Sequence, residues 1–308
     1  MINYSILKNA IIAGAENIAR HYEKVDAINV FPVPDGDTGT NLRLTLEGCA
    51  NAVAKSDDMP AGKLADFAAG ELLRCARGNS GVIFSLIFKG FAQSVENLDF
   101  IDAKALADGI EKGCDEAYAA IDKPTEGTIL TAVRIAASKA HTAAEKGADA
   151  QKTFEAALEG ARNSLKSSQN LLPVLKKKGV VDAGAQGLVY IMEGMAGYAE
   201  NSYKFTETSA DYSSAEYNEK YIYCTEFIIS NSKHCDVSDL KRFLSEIGEC
   251  PAAAEHSGII KIHVHTDSPH LAIEKGLEYG ELSRIKIDNM KLQIGNNANG
   301  IERKHQIS

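Results

Sequence analysis

The sequence contains no tryptophan, and aromatic residues make up only 7% of its 308 positions, so its core must be mostly aliphatic side chains and alanine. Its six cysteines, Cys49, Cys75, Cys114, Cys224, Cys235 and Cys250, show no short paired spacing. That argues against a disulfide framework and fits a reducing compartment. A bilayer-spanning helix needs about 20 consecutive apolar residues. The most apolar stretch, Gly81 to Phe91, is broken by Ser85 and Lys89. The N-terminus, Met1-Ile2-Asn3-Tyr4, lacks the basic and apolar regions of a secretory signal, and the chain reads as cytoplasmic. Positive charge is in deficit as well. With 33 basic against 42 acidic residues, the net charge of −9 disfavours a general nucleic-acid or anionic-membrane surface. Neither a Walker A motif nor a G-x-G-x-x-G is present, which disfavours the common nucleotide folds.

Helical periodicity dominates as far as residue 200. Leu7, Ile11, Ala15, Ile18 and Tyr22 recur at spacings of three and four, as do Leu42, Leu46, Cys49 and Val53. Six further apolar stripes follow, the last three starting near Ile129, Phe154 and Leu188. The pattern predicts eight amphipathic helices over 1–200, joined by short loops and running antiparallel in an all-α bundle or closed barrel. Residues 201–220 are polar and aperiodic, as linkers are. Over 221–290 the period changes. Strands are predicted at 221–229, 259–265 and 282–287, with helices at 237–247 and 269–279. A further strand over 249–256 would complete a β-α-β-β-α-β ferredoxin-like domain. Residues 291–308 form a polar tail.

Four glycine-containing turns carry polar groups into helix starts. In Asp35-Gly36-Asp37, two carboxylates flank a glycine, a pattern able to hold Mg²⁺ together with phosphate oxygens. The same residues also make an ordinary solvated acidic turn. A Ca²⁺-binding EF-hand is excluded, because Gly39 and Leu46 occupy ligand positions of that loop. Ala76-Arg77-Gly78-Asn79-Ser80-Gly81 precedes a strongly helical run, so its backbone N–H groups suit an anion, although Asn79 or Ser80 would equally serve as a plain cap. Glu126-Gly127-Thr128 and Val181-Asp182-Ala183-Gly184 also enter helices. Alternate helix starts of an antiparallel barrel share one end, where four such turns would converge on a phosphate-rich ligand. In the second domain, His263 and His265 alternate around Val264 and share a strand face. With Cys224 from a neighbouring strand they are either partly buried strand residues or three ligands of a Zn²⁺ site. His256 and Cys250 are weaker candidates for that site.

Together, Asn-Val-Phe-Pro-Val-Pro-Asp-Gly-Asp-Thr-Gly-Thr-Asn, Ala-Arg-Gly-Asn-Ser-Gly-Val-Ile, Pro-Thr-Glu-Gly-Thr-Ile-Leu-Thr and Gly-Val-Val-Asp-Ala-Gly-Ala-Gln-Gly-Leu resemble the ATP-binding A subunit of bacterial fatty acid kinase. Its kinase domain is related to the L subunit of dihydroxyacetone kinase. Tyr-Cys-Thr-Glu-Phe and Lys-Ile-His-Val-His-Thr-Asp extend the resemblance to about residue 290. It implies an eight-helix barrel with Mg²⁺-ATP at one end, Asp35 and Asp37 being the Mg²⁺ ligands and Arg77 an extra cation for the γ-phosphate. Thr38, Asn41, Gly78, Asn79, Ser80, Gly81, Gly127, Thr128, Asp182 and Gly184 would then line the nucleotide pocket. Cys224, His263 and His265 would bind Zn²⁺. The implied reaction transfers phosphate from ATP to a fatty acid carried by a separate lipid-binding B subunit. One position departs from the dihydroxyacetone kinase pattern, where an additional Asp stands five residues before Asp35; here it is Val30, beside Asn29. Relatives carry a third, C-terminal α/β domain for docking the lipid carrier, so this chain alone is expected to bind nucleotide yet phosphorylate acyl groups poorly. A homodimer through an outer helical face is compatible with such a bundle. A small-polyol kinase and a non-catalytic nucleotide-binding scaffold are the rival readings.

Overall fold

The computed structural model describes residues 1–121, 123–197, 220–230 and 236–292. Among these residues, eight long helices form a closed ring: α1 (Tyr4–Ala27), α2 (Thr38–Ala54), α3 (Ala61–Cys75), α4 (Gly78–Val95), α5 (Ala103–Ala120), α6 (Ile129–Glu145), α7 (Ala150–Leu171) and α9 (Ala183–Gly197). Each packs on the next, and α9 returns to α1. The short α8 (Pro173–Lys178) lies between α7 and α9. Its six residues are too few to show a periodic stripe. Its signals are local instead, Pro173 in the first turn and left-handed Gly179 at its end.

Local chemistry sets the helix starts. The side chains of Asn3, Asp102 and Asp149 each accept the backbone N–H three residues ahead. The apolar stripes then fill the ring with leucine, isoleucine, valine and alanine, as the scarcity of aromatics demands. Small residues let the helices approach closely. A Cβ on Gly113 of α5 would stand 2.3 Å from the carbonyl oxygen of Ile87 on α4, so only glycine fits there. Opposite the end where α2, α4, α6 and α9 begin, the ring encloses an apolar cavity of about 510 Å³, with Leu7, Phe88, Phe91 and Met192 on its wall.

The second domain has strands β1 (Tyr223–Ser230), β2 (Glu249–His256), β3 (Ile259–Thr266) and β4 (Glu281–Asn289), with helices α10 (Val237–Ile247) and α11 (Pro269–Tyr279). The sheet is antiparallel in the order β2-β3-β1-β4, which is the ferredoxin-like β-α-β-β-α-β arrangement. Strand alternation splits its residues between two faces. Phe227, Ile229, Ile260, Ile262 and Val264 pack with Leu240, Leu244 and Ala272 of the two helices. On the opposite face, Ile228, Ala252, Ala254 and Ile259 join Leu73, Val82 and Leu86 of the barrel. Arg284 reaches across to the carbonyl of Arg74 at 2.5 Å. The expected linker, 201–220, lies outside the described residues apart from Lys220, as does the expected tail from residue 293.

Candidate functional site

Two adjoining cavities lie where the starts of α2, α4, α6 and α9 meet the sheet. The larger, about 640 Å³, has Thr38, Asn79, Ser80, Thr128, Asp182 and Gly184 on its barrel side. Tyr221, Glu249 and Pro251 form part of the opposite wall. The smaller, about 50 Å³, brings Asp35, Asp37, Asn41 and Gly78 against Cys224, Glu226, His263, His265 and Lys286. Pro32, Thr38, Asn79 and Ser80 border both, so the two form one cleft with a wide and a narrow end.

The acidic turn is held from behind by the end of α1. Asn29 accepts the Thr38 N–H at 3.0 Å and its hydroxyl at 2.6 Å, while donating to the Val33 carbonyl at 2.8 Å. Asn29 therefore scaffolds the turn and also touches the narrow end. Asp26 accepts the Thr40 N–H and hydroxyl at 2.9 and 2.7 Å, and burial raises its carboxyl to about 6. Gly36 (φ +68) reverses the chain between the two aspartates. Asp37 begins α2, yet its side chain makes no cap bond. The Asp35 and Asp37 carboxyls instead hydrogen-bond each other, and Asn41 bonds Asp37. Burial, then the Asp37 charge, pushes Asp35 well above the usual range; burial also raises Asp37 against those bonds. An acidic turn facing open water would show no such displacement.

The start of α4 faces this pair. Gly78 is left-handed (φ +56) and packs so closely on Asn41 that a Cβ would stand 2.3 Å from its Nδ2. The Gly78 N–H donates to Glu226 Oε1 at 2.6 Å. Gly81 touches Thr45 of α2, and Gly127 sits at a left-handed turn against Leu171. Gly81 allows the first turn of α4 to pack on α2, Gly127 shapes a loop, and neither lines the cleft. Thr128 caps α6 through its hydroxyl. Asp182 is buried and accepts the Ala185 N–H at 2.7 Å, and burial raises its carboxyl to about 7. Arg77 contributes its N–H to Thr45 at 3.1 Å, but its side chain is not on the cleft wall. The cation on the narrow end's wall is Lys286, paired with Asp288 on β4, while Lys123 and Lys220 border the wide end.

Sheet register assembles the remaining groups. Cys224 stands opposite His265, and Glu226 opposite His263. The ligand atoms of Cys224, His263 and His265 lie within 4.8 Å of one another, the only such His/Cys/acidic group of three among the described residues. His263 Nδ1 is 3.1 Å from Glu226 Oε1, while its buried Nε2 has no hydrogen-bond partner. Lys261 donates to Glu226 Oε2 at 3.1 Å. Burial would raise Glu226, but His263 and Lys261 hold it well below the usual carboxylate range. Burial pushes the Cys224 thiol up, and burial with His263 lowers His265 to about 3. A neutral thiol beside uncharged imidazole and an orphaned ring nitrogen are what a cation would reorganise, so the donor set fits Zn²⁺. His256 lies instead 3.3 Å from Asp66, and Cys250 borders the wide end. Neither joins the cluster.

Residues 32–197 match the DAK2 domain, which is more than half of the chain. The chain belongs to the DAK2-domain family. Residues 220–297 match the FakA-like middle domain, FakA being the fatty acid kinase component, so the sheet is a middle domain of that type and the whole is a kinase-related module. An uncharacterized protein of Staphylococcus saprophyticus is 38% identical over 95% of this chain and 56% of its own length. Protein YloV of Bacillus subtilis is 37% identical over 92% of this chain and 54% of its own length. The chain thus spans little more than half the length of these relatives. A crystal structure of dihydroxyacetone kinase from C. freundii in complex with AMP-PNP and Mg²⁺ is similar over 62% of this chain and 33% of its own, with 19% identity and a TM-score of 0.49.

The sequence motifs assign no role to Glu226, Lys286 or Asp26. Glu226 is two residues from Cys224, so strand alternation alone puts both on the same face of the sheet. Lys286 and Asp288 share that face through their register with Glu226 and Cys224. Asp26 carries no comparable signal, because its role depends on how α1 meets α2.

Proposed function

We propose that this DAK2 and middle-domain pair is the phosphoryl-transferring part of the ATP-binding component of a fatty acid kinase, acting on ATP and on a fatty acid presented by a lipid-binding B subunit. The observation that carries this is the crowded Asp35–Asp37 pair, raised by burial and spent on no helix cap, facing the start of α4 in a cleft continuous with a nucleotide-sized cavity. Asp35 and Asp37 would hold Mg²⁺, which when bound neutralises phosphate charge. The α4 start offers N–H groups and a positive dipole end to the phosphates. Thr38, Asn79, Ser80, Thr128 and Gly184 line the space for the rest of the nucleotide.

A fatty acid carboxylate is already ionised at neutral pH and needs no general base. Its oxygen bonds to the γ-phosphorus as the bond to the β-bridging oxygen breaks, giving acyl phosphate and ADP. Repulsion between two anions is the obstacle, so positioning and charge compensation carry the chemistry. Lys286 is the side-chain cation placed to assist at the narrow end. Cys224, His263 and His265 would hold Zn²⁺ and pin the middle domain beside the cleft.

Calorimetry with Mg²⁺-ADP, then a hydroxamate assay for acyl phosphate with a lipid-loaded B subunit, tests the reading. Binding with acyl-phosphate formation supports it. Phosphorylation of dihydroxyacetone in place of the fatty acid would replace it with a polyol kinase, and binding without turnover in the chain extended to its relatives' full length would favour a sensor. For the zinc, elemental analysis of protein purified without chelator should find one equivalent; a trace, with Cys224 freely alkylated, removes that part.

A further inference from the structure

We propose that Glu226 is a positioning residue that couples metal occupancy at Cys224, His263 and His265 to the geometry of the phosphate-facing loop at Gly78. This rests on the zinc reading above and adds an energetic link between the two domains. Glu226 belongs to the sheet, yet its Oε1 accepts the N–H of Gly78 at 2.6 Å, in the first turn of α4. The same oxygen lies 3.1 Å from His263 Nδ1, and Oε2 accepts from Lys261 at 3.1 Å. Glu226, His263 and Lys261 are at most 2% exposed, so water does not stand in for any of these partners. One carboxylate therefore touches a metal ligand on one side and the nucleotide loop on the other.

The geometry gives the link a direction. His263 belongs to the ligand cluster with Cys224 and His265; its Nε2 is buried without a partner, and its Nδ1, which faces Glu226, also lies 3.7 Å from Cys224 Sγ. With Nε2 as its ligand atom, His263 would be fixed in rotation by a bound metal and would keep Nδ1–H as the donor to Glu226, the usual carboxylate–histidine–metal arrangement. That holds Glu226 Oε1 where it meets the Gly78 N–H. Gly78 cannot take up slack on its other side, because it already presses on Asn41, which bonds Asp37. A fixed Glu226 thus fixes the left-handed start of α4 and leaves the following residues of that turn arranged for phosphate. Pre-organisation of this kind raises affinity, and linkage requires nucleotide to strengthen metal binding by the same factor.

The experiment uses the full chain, stripped by chelator and reloaded with Co²⁺, whose thiolate bands report on a Cys/His site. Mg²⁺-ADP affinity is measured by calorimetry with and without Co²⁺. The Co²⁺-loaded protein should bind Mg²⁺-ADP about tenfold more tightly, within the range of ordinary couplings, and Mg²⁺-ADP should raise Co²⁺ affinity equally. Glu226→Gln should keep the Co²⁺ bands and lose the dependence of ADP affinity on Co²⁺. A Glu226→Gln protein that binds ADP more weakly but still responds to Co²⁺ about tenfold would make Glu226 merely structural and overturn the proposal. So would equal ADP affinities in stripped and loaded wild type, with the Cys/His site still standing. Absent Co²⁺ bands would remove the metal reading, and this inference with it. Should Glu226→Gln fail to fold, hydrogen exchange of wild type decides: amides 76–81 should slow on Co²⁺ loading, and unchanged exchange overturns the coupling.

Discussion

Replacing Asp35 by Asn should stabilise the nucleotide-free protein and abolish its response to Mg²⁺-ADP. Asp35 and Asp37 hydrogen-bond each other in the narrow end of the cleft, and burial with the Asp37 charge holds Asp35 well above the usual range. The sign follows from linkage. The unfolded chain releases this proton near pH 4 while the folded chain retains it, so stability falls as pH rises from there through the raised value and stays low above it. Two charges about 4 Å apart repel by about 4 kcal/mol at an effective permittivity near 20. Proton sharing relieves part of that, so the amide should recover about 1–3 kcal/mol. At roughly 2–4 °C per kcal/mol for a chain of this size, Tm should rise by about 2–12 °C. Wild type should instead gain about 2.7 kcal/mol from Mg²⁺-ADP at a hundred times Kd, and the variant close to nothing. Scanning calorimetry at neutral pH, in EDTA and in Mg²⁺-ADP, reads both effects. A variant less stable than wild type in EDTA, or one still stabilised by Mg²⁺-ADP, refutes the reasoning.

The buried Asp182 carboxyl, raised from 3.8 to about 7, makes stability fall between those pH values, by an amount on the order of 4 kcal/mol. Asp182→Asn keeps an acceptor for the Ala185 N–H and should flatten that part of the profile; urea unfolding from acid to neutral pH would show an unchanged slope if Asp182 is not responsible. Gly78→Ala forces a left-handed alanine against Asn41 and should cost about 1–3 kcal/mol while weakening Mg²⁺-ADP binding. Wild-type affinity and melting in that variant would show that the α4 start tolerates displacement.

Three- and four-residue spacing determined the eight long helices, because an amphipathic stripe is stable only when its apolar side is buried. Period-two alternation likewise determined the strands and put His263 and His265 on one face. The Asp-Gly-Asp turn was recognisable as chemistry, since a left-handed glycine between carboxylates needs no distant contact. Helix α8 was not recognisable, being shorter than two turns. Tertiary structure decided what those turns face. Arg77 and Lys286 are both cations, but only Lys286 reaches the cleft, because strand register brings β4 over the barrel's end. Glu226 looks like one strand carboxylate among 42 acidic residues. It becomes a joint between domains only when the sheet packs on α4, since hydrogen bonds reach about 3 Å and nothing along the chain reports a neighbour 148 residues away.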